Sequence, residues 1–456
     1  MSLTPSSEFS QINSSERKGF TRADIYWWYV LIILTLSSTL NYMDRQIVNI
    51  LAEPIKHDLH LKDWQVGVLT GFAFAIVYSL AAIPLARLAD RSSRPRIIAA
   101  SLAVWSIFTA LSGLTRSFGQ FAAARLGVGL GEAGSSPPAH ALITDLAPPR
   151  RRALALGVFQ TGVPLGSLAG MALGGILADR FGWRVALLAA GLPGIILALV
   201  AILTVAEPRT RSQRPNQASR TRFTDDAKTI FSKRAYLPIT VGGGLIALKA
   251  FGTQAFMASF FFRNHAEQLH SLASSLSASL NTHVGVAAVL GPILGVLGGG
   301  AGVVGTIWGG TLADRWARRH PTHYATIIAA PQLVCAPILA AGLFWPGLGG
   351  AFFLLTLPTL VNSISVAPTW AAVQALATDT TRATAVAIGF LIVTLIGLGL
   401  GPLLVGVTSD LLNSAGIRSA AALRGAMLIA VIPSLVGAGI VWRARRHCGA
   451  EMEIPV

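Results

Sequence analysis

Ala86-Arg87-Leu88-Ala89-Asp90-Arg91-Ser92-Ser93-Arg94 returns in outline 224 residues later as Gly310-Thr311-Leu312-Ala313-Asp314-Arg315-Trp316-Ala317-Arg318-Arg319. Each segment ends a long apolar run, and each sets an Asp-Arg pair where the run stops. Two further features repeat at nearly the same period. Arg152-Ala153 and Arg382-Ala383 lie 230 residues apart, and Gly175-x-x-x-Asp179 and Gly406-x-x-x-Asp410 lie 231 apart. Three independent features displaced by one period point to a duplicated unit.

The unit is a set of membrane helices. The chain has 456 residues, 53% of them hydrophobic, and a helix needs about 20 apolar residues to cross a bilayer. That measure predicts twelve helices, near 27–50, 65–89, 97–115, 118–145, 152–177, 183–206, 236–262, 283–312, 323–345, 349–378, 382–408 and 421–442. The longest polar insertion, Glu207 to Tyr236, is rich in Arg, Ser and Pro and reads as a linker. The predicted organisation is a tail (1–26), a six-helix bundle (27–206), a linker (207–235), a second six-helix bundle (236–442) and a tail (443–456). The fold class is therefore an all-α membrane protein with twelve transmembrane helices in two pseudo-repeat bundles.

A net charge of +16 raises the question of a nucleic-acid partner. The placement of the charge answers it: 25 of the 36 Lys and Arg residues fall on the side of the tails and linker, 8 on the other side and 3 within the spans. Such an excess marks the cytoplasmic face, so both termini are expected in the cytoplasm and no nucleic acid is implied. Cys335 and Cys448 make no disulfide framework, and no Cys/His grouping has metal-ligand spacing. The first 22 residues have no apolar core of a signal peptide, so the first apolar run reads as an uncleaved anchor. Short tails and a lone sequon on the cytoplasmic side, Asn13-Ser14-Ser15, point to a bacterial plasma (inner) membrane.

Five charges interrupt the apolar runs: Asp44, Arg45, Arg125, Glu132 and Lys249. Each costs at least ~2.5–3.5 kcal/mol at a helix centre, so such residues persist where they pair, line a water-filled cavity or handle ions. Arg125 and Glu132 are seven residues apart and share one face of helix 4. That spacing is too long for an easy direct pair, which makes Asp44-Arg45 of helix 1 the obvious complement. Burial and a neighbouring Arg act oppositely on a carboxylate's proton, so a moving helix can switch it; the alternative is a permanently ionised cluster that pins two helices. Three cations against two carboxylates favour an anionic headgroup. Lys249 either contacts that ligand or snorkels to an interface.

The Asp-Arg loop segments resemble the signature of the major facilitator superfamily, with Ala86 standing where the usual pattern has a glycine. The resemblance implies substrate binding between two halves near the membrane midplane. It also implies a cytoplasmic gate built from Asp90, Arg91, Arg94, Asp314, Arg315 and Arg318. A sharper likeness, to the Spinster branch, rests on Asn41-Tyr42-Met43-Asp44-Arg45-Gln46, on Arg125-Leu126-Gly127-Val128-Gly129-Leu130-Gly131-Glu132-Ala133-Gly134, and on Gly397-Leu398-Gly399-Leu400-Gly401-Pro402. That branch is regarded as carrying amphiphiles, with animal members handling lysophospholipids and sphingosine-1-phosphate. The likeness nominates Asp44 and Glu132 for proton coupling, with Arg45 and Arg125 as their partners.

The remaining motifs read as packing. Gly129-x-Gly131-x-x-Gly134 matches a dinucleotide fingerprint but lies inside an apolar helix, without the strand that motif requires. Gly166-x-x-x-Gly170-x-x-x-Gly174 in helix 5 and the glycines of helix 8 (Gly298, Gly302, Gly305, Gly309) read as sites of close helix approach; the superfamily resemblance implies that these two helices meet across the halves, sliding or static. Phe251, Phe256, Phe260, Phe261 and Phe262 in helix 7 line an apolar tail pocket or face lipid. The expectation is a monomeric, cofactor-free, proton-driven carrier of an anionic or zwitterionic amphiphile, and no enzyme, since no nucleophile–base pair lies within the spans. Alternatives are a carrier of a small organic anion or drug-like solute, and a lipid scramblase or non-transporting sensor that would tolerate loss of the carboxylates.

Overall fold

The computed structural model describes residues 22–208, 223–317, 320–378 and 381–452, and no strand occurs among them. In the first half, α1 is Arg22–Asp58. α2 comprises Asp63–Gly67, a π-helical turn Val68–Phe72 and Ala73–Arg91. α3 is Arg94–Ser112, and α4 is two pieces, Phe118–Glu132 and Ser136–Leu146. α5 begins with Arg152–Gln160 and continues into Gly162–Thr204, which bends at Gly182 to start α6. Gly182 has a φ of 82°, a conformation that a residue with a Cβ adopts only with strain.

The second half follows the same plan. α7 is Tyr236–Asn264, α8 is Val286–Leu312 ended by a π-helical turn Ala313–Ala317, and α9 is Thr322–Phe344. α10 is Leu348–Ser363 with Val366–Ala375. α11 is Arg382–Val393, a π-helical turn Thr394–Gly399 and Leu400–Ser414, and α12 is Ser419–Ile429 with Val431–Glu451. Two short helices, Phe223–Phe231 and Ala266–Leu280, flank α7.

Among the described residues, nine stretches qualify as membrane spans by length and hydropathy alone. The difference from twelve has physical causes. α5 and α6 run together as one stretch of 51 residues. α4 is interrupted after Glu132, where Pro137 and Pro138 open the second piece and supply no N–H to continue the ladder. Asn41, Asp44 and Arg45 dilute the apolar run of α1.

Glycines set the helix contacts, in a pattern that corrects two expectations. The α5 stripe faces α1 within its own half: a Cβ on Gly162, Gly166, Gly170 or Gly174 would press on Ser38, Thr39, Met43 or Ile47. The crossing of α5 and α8 instead uses Gly175 against Ala287, Gly291 against Met171 and Gly295 against Leu168, while Gly305 and Gly309 of α8 meet α10 at Leu360 and Ile364. The second correction concerns α7, where Phe256, Phe260 and Phe261 have no exposure. These three sit in the protein core, Phe261 against Phe352 at a centroid distance of 4.4 Å, and so neither face lipid nor line a pocket, whereas Phe251 and Phe262 are half-buried.

The fingerprint-like glycines of α4 are also contacts between helices. A Cβ on Gly129 would lie 2.6 Å from the Phe74 carbonyl oxygen of α2, and one on Gly131 would lie 2.8 Å from Cβ of Trp105 in α3. Gly129→Val should therefore force α2 and α4 apart, at about 1–3 kcal/mol for an overpacked core. The expected result is a lowered unfolding temperature in detergent, with Gly119→Val, where the position is open, as the comparison.

Candidate functional site

Adjacent residues on a helix point about 100° apart, so Asp44 and Arg45 of α1 reach different neighbours. Arg45 turns to α4 and donates from Nε to Glu132 Oε2 at 2.8 Å, with Nη2 at 2.6 Å from the same oxygen. Glu132 is wholly buried, whereas the Arg45 side chain keeps 20% of its exposure. Three rings surround the guanidinium: Tyr42 at 5.2 Å, Phe74 at 4.6 Å and Tyr78 at 5.0 Å from ring centroid to Cζ. Such faces attract a cation and hold it when desolvated. The cage keeps Arg45 in place by means other than its carboxylate.

Asp44 turns to α3, where Thr109 Oγ1 donates to its Oδ2 at 3.0 Å. Its Oδ1 and Oε1 of Glu132 are buried oxygens without a hydrogen-bond partner. Arg125 differs from the sequence expectation. Its Nε donates to the Leu69 carbonyl of α2 at 3.1 Å, so the residue read as a complement to Asp44 is fastened in part to backbone. Leu69 lies in the π-helical turn 68–72, where the widened turn re-aims carbonyls away from regular spacing. Asp44, Arg45, Arg125 and Glu132 thus form one buried group spanning α1 to α4.

The structure does not bring Lys249 into that group. Its Nζ donates to Gln332 Oε1 at 2.8 Å and meets Cys335 Sγ at 3.0 Å, both on α9. Ser434 of α12 donates to the same Gln332 oxygen at 3.1 Å, and Gln332 Nε2 donates to Ser365 Oγ at 3.2 Å. A buried ammonium needs acceptors, and the interior of the second half supplies them.

A second cluster, which sequence reasoning missed, joins the two halves at the end opposite the Asp-Arg loops. Arg263 of α7 takes Glu53 of α1 bidentately at 2.9 Å from each oxygen, and Asp63 of α2 at 2.9 and 2.8 Å. Asp63 also accepts from Lys56 at 2.5 Å and from Ser409 of α11 at 2.6 Å. The repeated Gly-x-x-x-Asp motifs finish the seal as matched caps. Asp410 of α11 accepts from the N–H groups of Asp63 and Trp64 at the start of α2, at 3.1 and 2.8 Å. Asp179 of α5 accepts from the Ala288 N–H at the start of α8, at 2.5 Å. In both motifs the glycine one turn earlier lets that helix start come close, and the carboxylate answers its orphan N–H groups and dipole.

At the opposite, basic end α5 and α8 still meet at Gly299, whose Cβ would lie 3.5 Å from the Pro164 carbonyl oxygen, while a Cβ on Gly298 or Gly300 would meet no atom within 4 Å. Arg94 pairs with Asp145, and its backbone N–H donates to Glu207 at 2.6 Å. Asp314 and Arg315 are exposed in the π-helical turn that ends α8, and Arg91 is exposed at the end of α2. Arg318 and the Asp90 side chain lie outside the described residues.

Comparison with known proteins agrees with this architecture. The family model of the Major Facilitator Superfamily matches residues 34–395. An MFS-type efflux pump of Mycolicibacterium smegmatis is 33% identical over 430 residues, covering 94% of each chain. Protein spinster of Drosophila melanogaster is 28% identical over 387 residues, covering 84% of this chain and 62% of the fly protein. The crystal structure of a bacterial homologue of the human lysosomal transporter Spinster, inward-facing and unoccupied, superposes with a TM-score of 0.81 at 28% identity, covering 94% of this chain and 99% of that one. Two repeated six-helix halves, the first with a buried charged group in its core, together with these matches place the chain in the major facilitator superfamily, as a Spinster-like secondary transporter rather than an enzyme.

Proposed function

We propose that the protein couples proton movement to the transport of an anionic or zwitterionic amphiphile, and that the Arg45–Glu132 pair performs the coupling. The observation that carries this reading is the asymmetry of the pair. Arg45 is partly reachable and caged by rings, while Glu132 is sealed. An anion arriving at the guanidinium competes with Glu132 for it. Glu132 is then left as a buried carboxylate without its counter-charge, a cost of several kcal/mol that uptake of a proton removes. Anion and proton therefore load in one step, which makes the coupling a symport. Asp44, also with one unpartnered oxygen, is the second proton site, and Arg125 adds the field that favours an anion.

Alternating access follows from the two ends. The far-end seal belongs to one conformation, which we read from the charge asymmetry as facing the cytoplasm of a bacterium, with both termini on that side. The bundles 27–206 and 236–442 are the rocking units and 207–235 is their tether. In the opposite conformation the Asp90 and Asp314 loops close the basic end. Asp90→Asn should then leave the basic end open for longer. Spin labels on the basic ends of α2 and α11 should report a larger share of long distances, and an unchanged distribution would assign Asp90 to loop shape alone.

A second reading has the efflux-pump relative in its favour: a carrier of a drug-like solute. A cationic solute would compete with protons instead of loading with them, so accumulation would run against the proton flow. Binding separates the two readings. A single-chain alkyl phosphate should raise the unfolding temperature of the wild type and not of Arg45→Ala, and an alkyl trimethylammonium of equal chain length should not do so. The reverse preference would support the second reading.

A further inference from the structure

Four rings continue outward from the Arg45 guanidinium and cross from one half to the other. Phe74 and Tyr78 of α2 stack with centroids 5.2 Å apart, Tyr78 lies 6.0 Å from Phe390 of α11, and Phe390 lies 5.9 Å from Trp370 of α10. These separations fall within the ~4.5–7 Å of interacting rings. Tyr78 itself stands 5.0 Å from the guanidinium carbon, so charge and rings form one continuous path. Among the ring pairs of the described residues, Tyr78–Phe390 is the one that joins the halves.

Exposure along the path peaks at Phe390, where the two halves meet. Phe74 and Tyr78 are buried, Trp370 is half-buried and Phe390 is 39% exposed. The direction is also defined: Tyr78 lies one turn beyond Phe74 toward the basic end of α2, and Phe390 sits two turns inside the basic-end start of α11. The rings lead from the partly reachable Arg45 guanidinium toward the basic end of the bundle. We propose that Tyr78, Phe390 and Trp370 form the subsite for the apolar chain of the ligand whose anionic group rests at Arg45, and that the Tyr78–Phe390 contact sets which chains are accepted. The proposal rests on the amphiphile reading above. An alkyl chain laid along the rings covers the part of Phe390 that the protein leaves open, and both surfaces lose apolar contact with water. Because two of the rings belong to each half, the same chain also bridges the parts that must rock.

Trp370 makes the proposal testable without transport. The probe is a single-chain alkyl phosphate brominated at mid-chain, added to the full-length protein in nanodiscs, with fluorescence of the wild type compared with Trp370→Phe. A saturable quenching component present in the wild type, absent in Trp370→Phe and displaced by the unbrominated alkyl phosphate is expected. Phe390→Ala should weaken binding of the alkyl phosphate at least tenfold and leave glycerol phosphate binding unchanged, and Phe390→Leu, which keeps an apolar side chain closer in size, guards against a folding defect. Equal quenching in wild type and Trp370→Phe, with Arg45-dependent stabilisation intact, would overturn the subsite and spare the amphiphile reading. Neither quenching nor stabilisation by any alkyl phosphate would overturn both.

Discussion

Arg263→Ala should shift the conformational balance toward opening at the far end by about two orders of magnitude. One guanidinium there holds two carboxylates of the opposite half, Glu53 and Asp63, and all three side chains are at most 10% exposed. Removing one partner of a buried ion pair costs about 3–5 kcal/mol, because the other partner stays buried and unpaired. Lys56 remains beside Asp63, so the lower figure applies, and ~3 kcal/mol corresponds to roughly a hundredfold change in a population ratio. The loss falls on one state only, since the contact joins surfaces that part when that end opens, and only a differential contact biases an equilibrium. Spin labels at His60→Cys and His283→Cys, on a background with Cys335 and Cys448 replaced, read the far-end gap. The wild type should give a short distance and Arg263→Ala a dominant long one. Glu53→Gln should give a smaller shift in the same direction.

How much of this was legible in the sequence depended on the background each residue stood against. Asp44, Arg45, Arg125 and Glu132 stand out because a charge inside an apolar run has few bland explanations. Glu53, Asp63 and Arg263 are charges at helix ends, where charges are ordinary, and no spacing links residues some 200 positions apart. The two Gly-x-x-x-Asp motifs were visible as a repeat, but their role needs the topology that sets each aspartate against a helix start of the other half. The partner of Arg125 was hidden for another reason: the π-helical turn 68–72 has no composition that marks it. Phe74, Tyr78 and Phe390 read as ordinary apolar residues until the fold ranges them beside Arg45. The glycine stripe of α5 misled because helix-facing glycines announce a close neighbour and not which neighbour, and here it is α1.

The second large effect concerns coupling. Asp44→Asn combined with Glu132→Gln keeps the shape of both side chains and removes both acids. Arg45 retains its ring cage but loses the carboxylate that competes for it, so anion binding should persist or strengthen while its dependence on pH disappears. A carrier that loads its anion without a proton still moves cargo downhill and has nothing to harness a gradient with. Loss of uphill transport should therefore be complete, and loss of downhill transport partial. A scramblase would show neither loss.

The most direct measurement is accumulation of a radiolabelled single-chain alkyl phosphate in proteoliposomes under an imposed pH gradient, with wild type and the Asp44→Asn/Glu132→Gln variant reconstituted at matched density. The account predicts accumulation above equilibrium on the alkaline side for the wild type, collapse of that gradient on adding a protonophore, and equilibration without accumulation for the variant. Accumulation by the variant equal to that of the wild type, or accumulation on the acidic side, would contradict it.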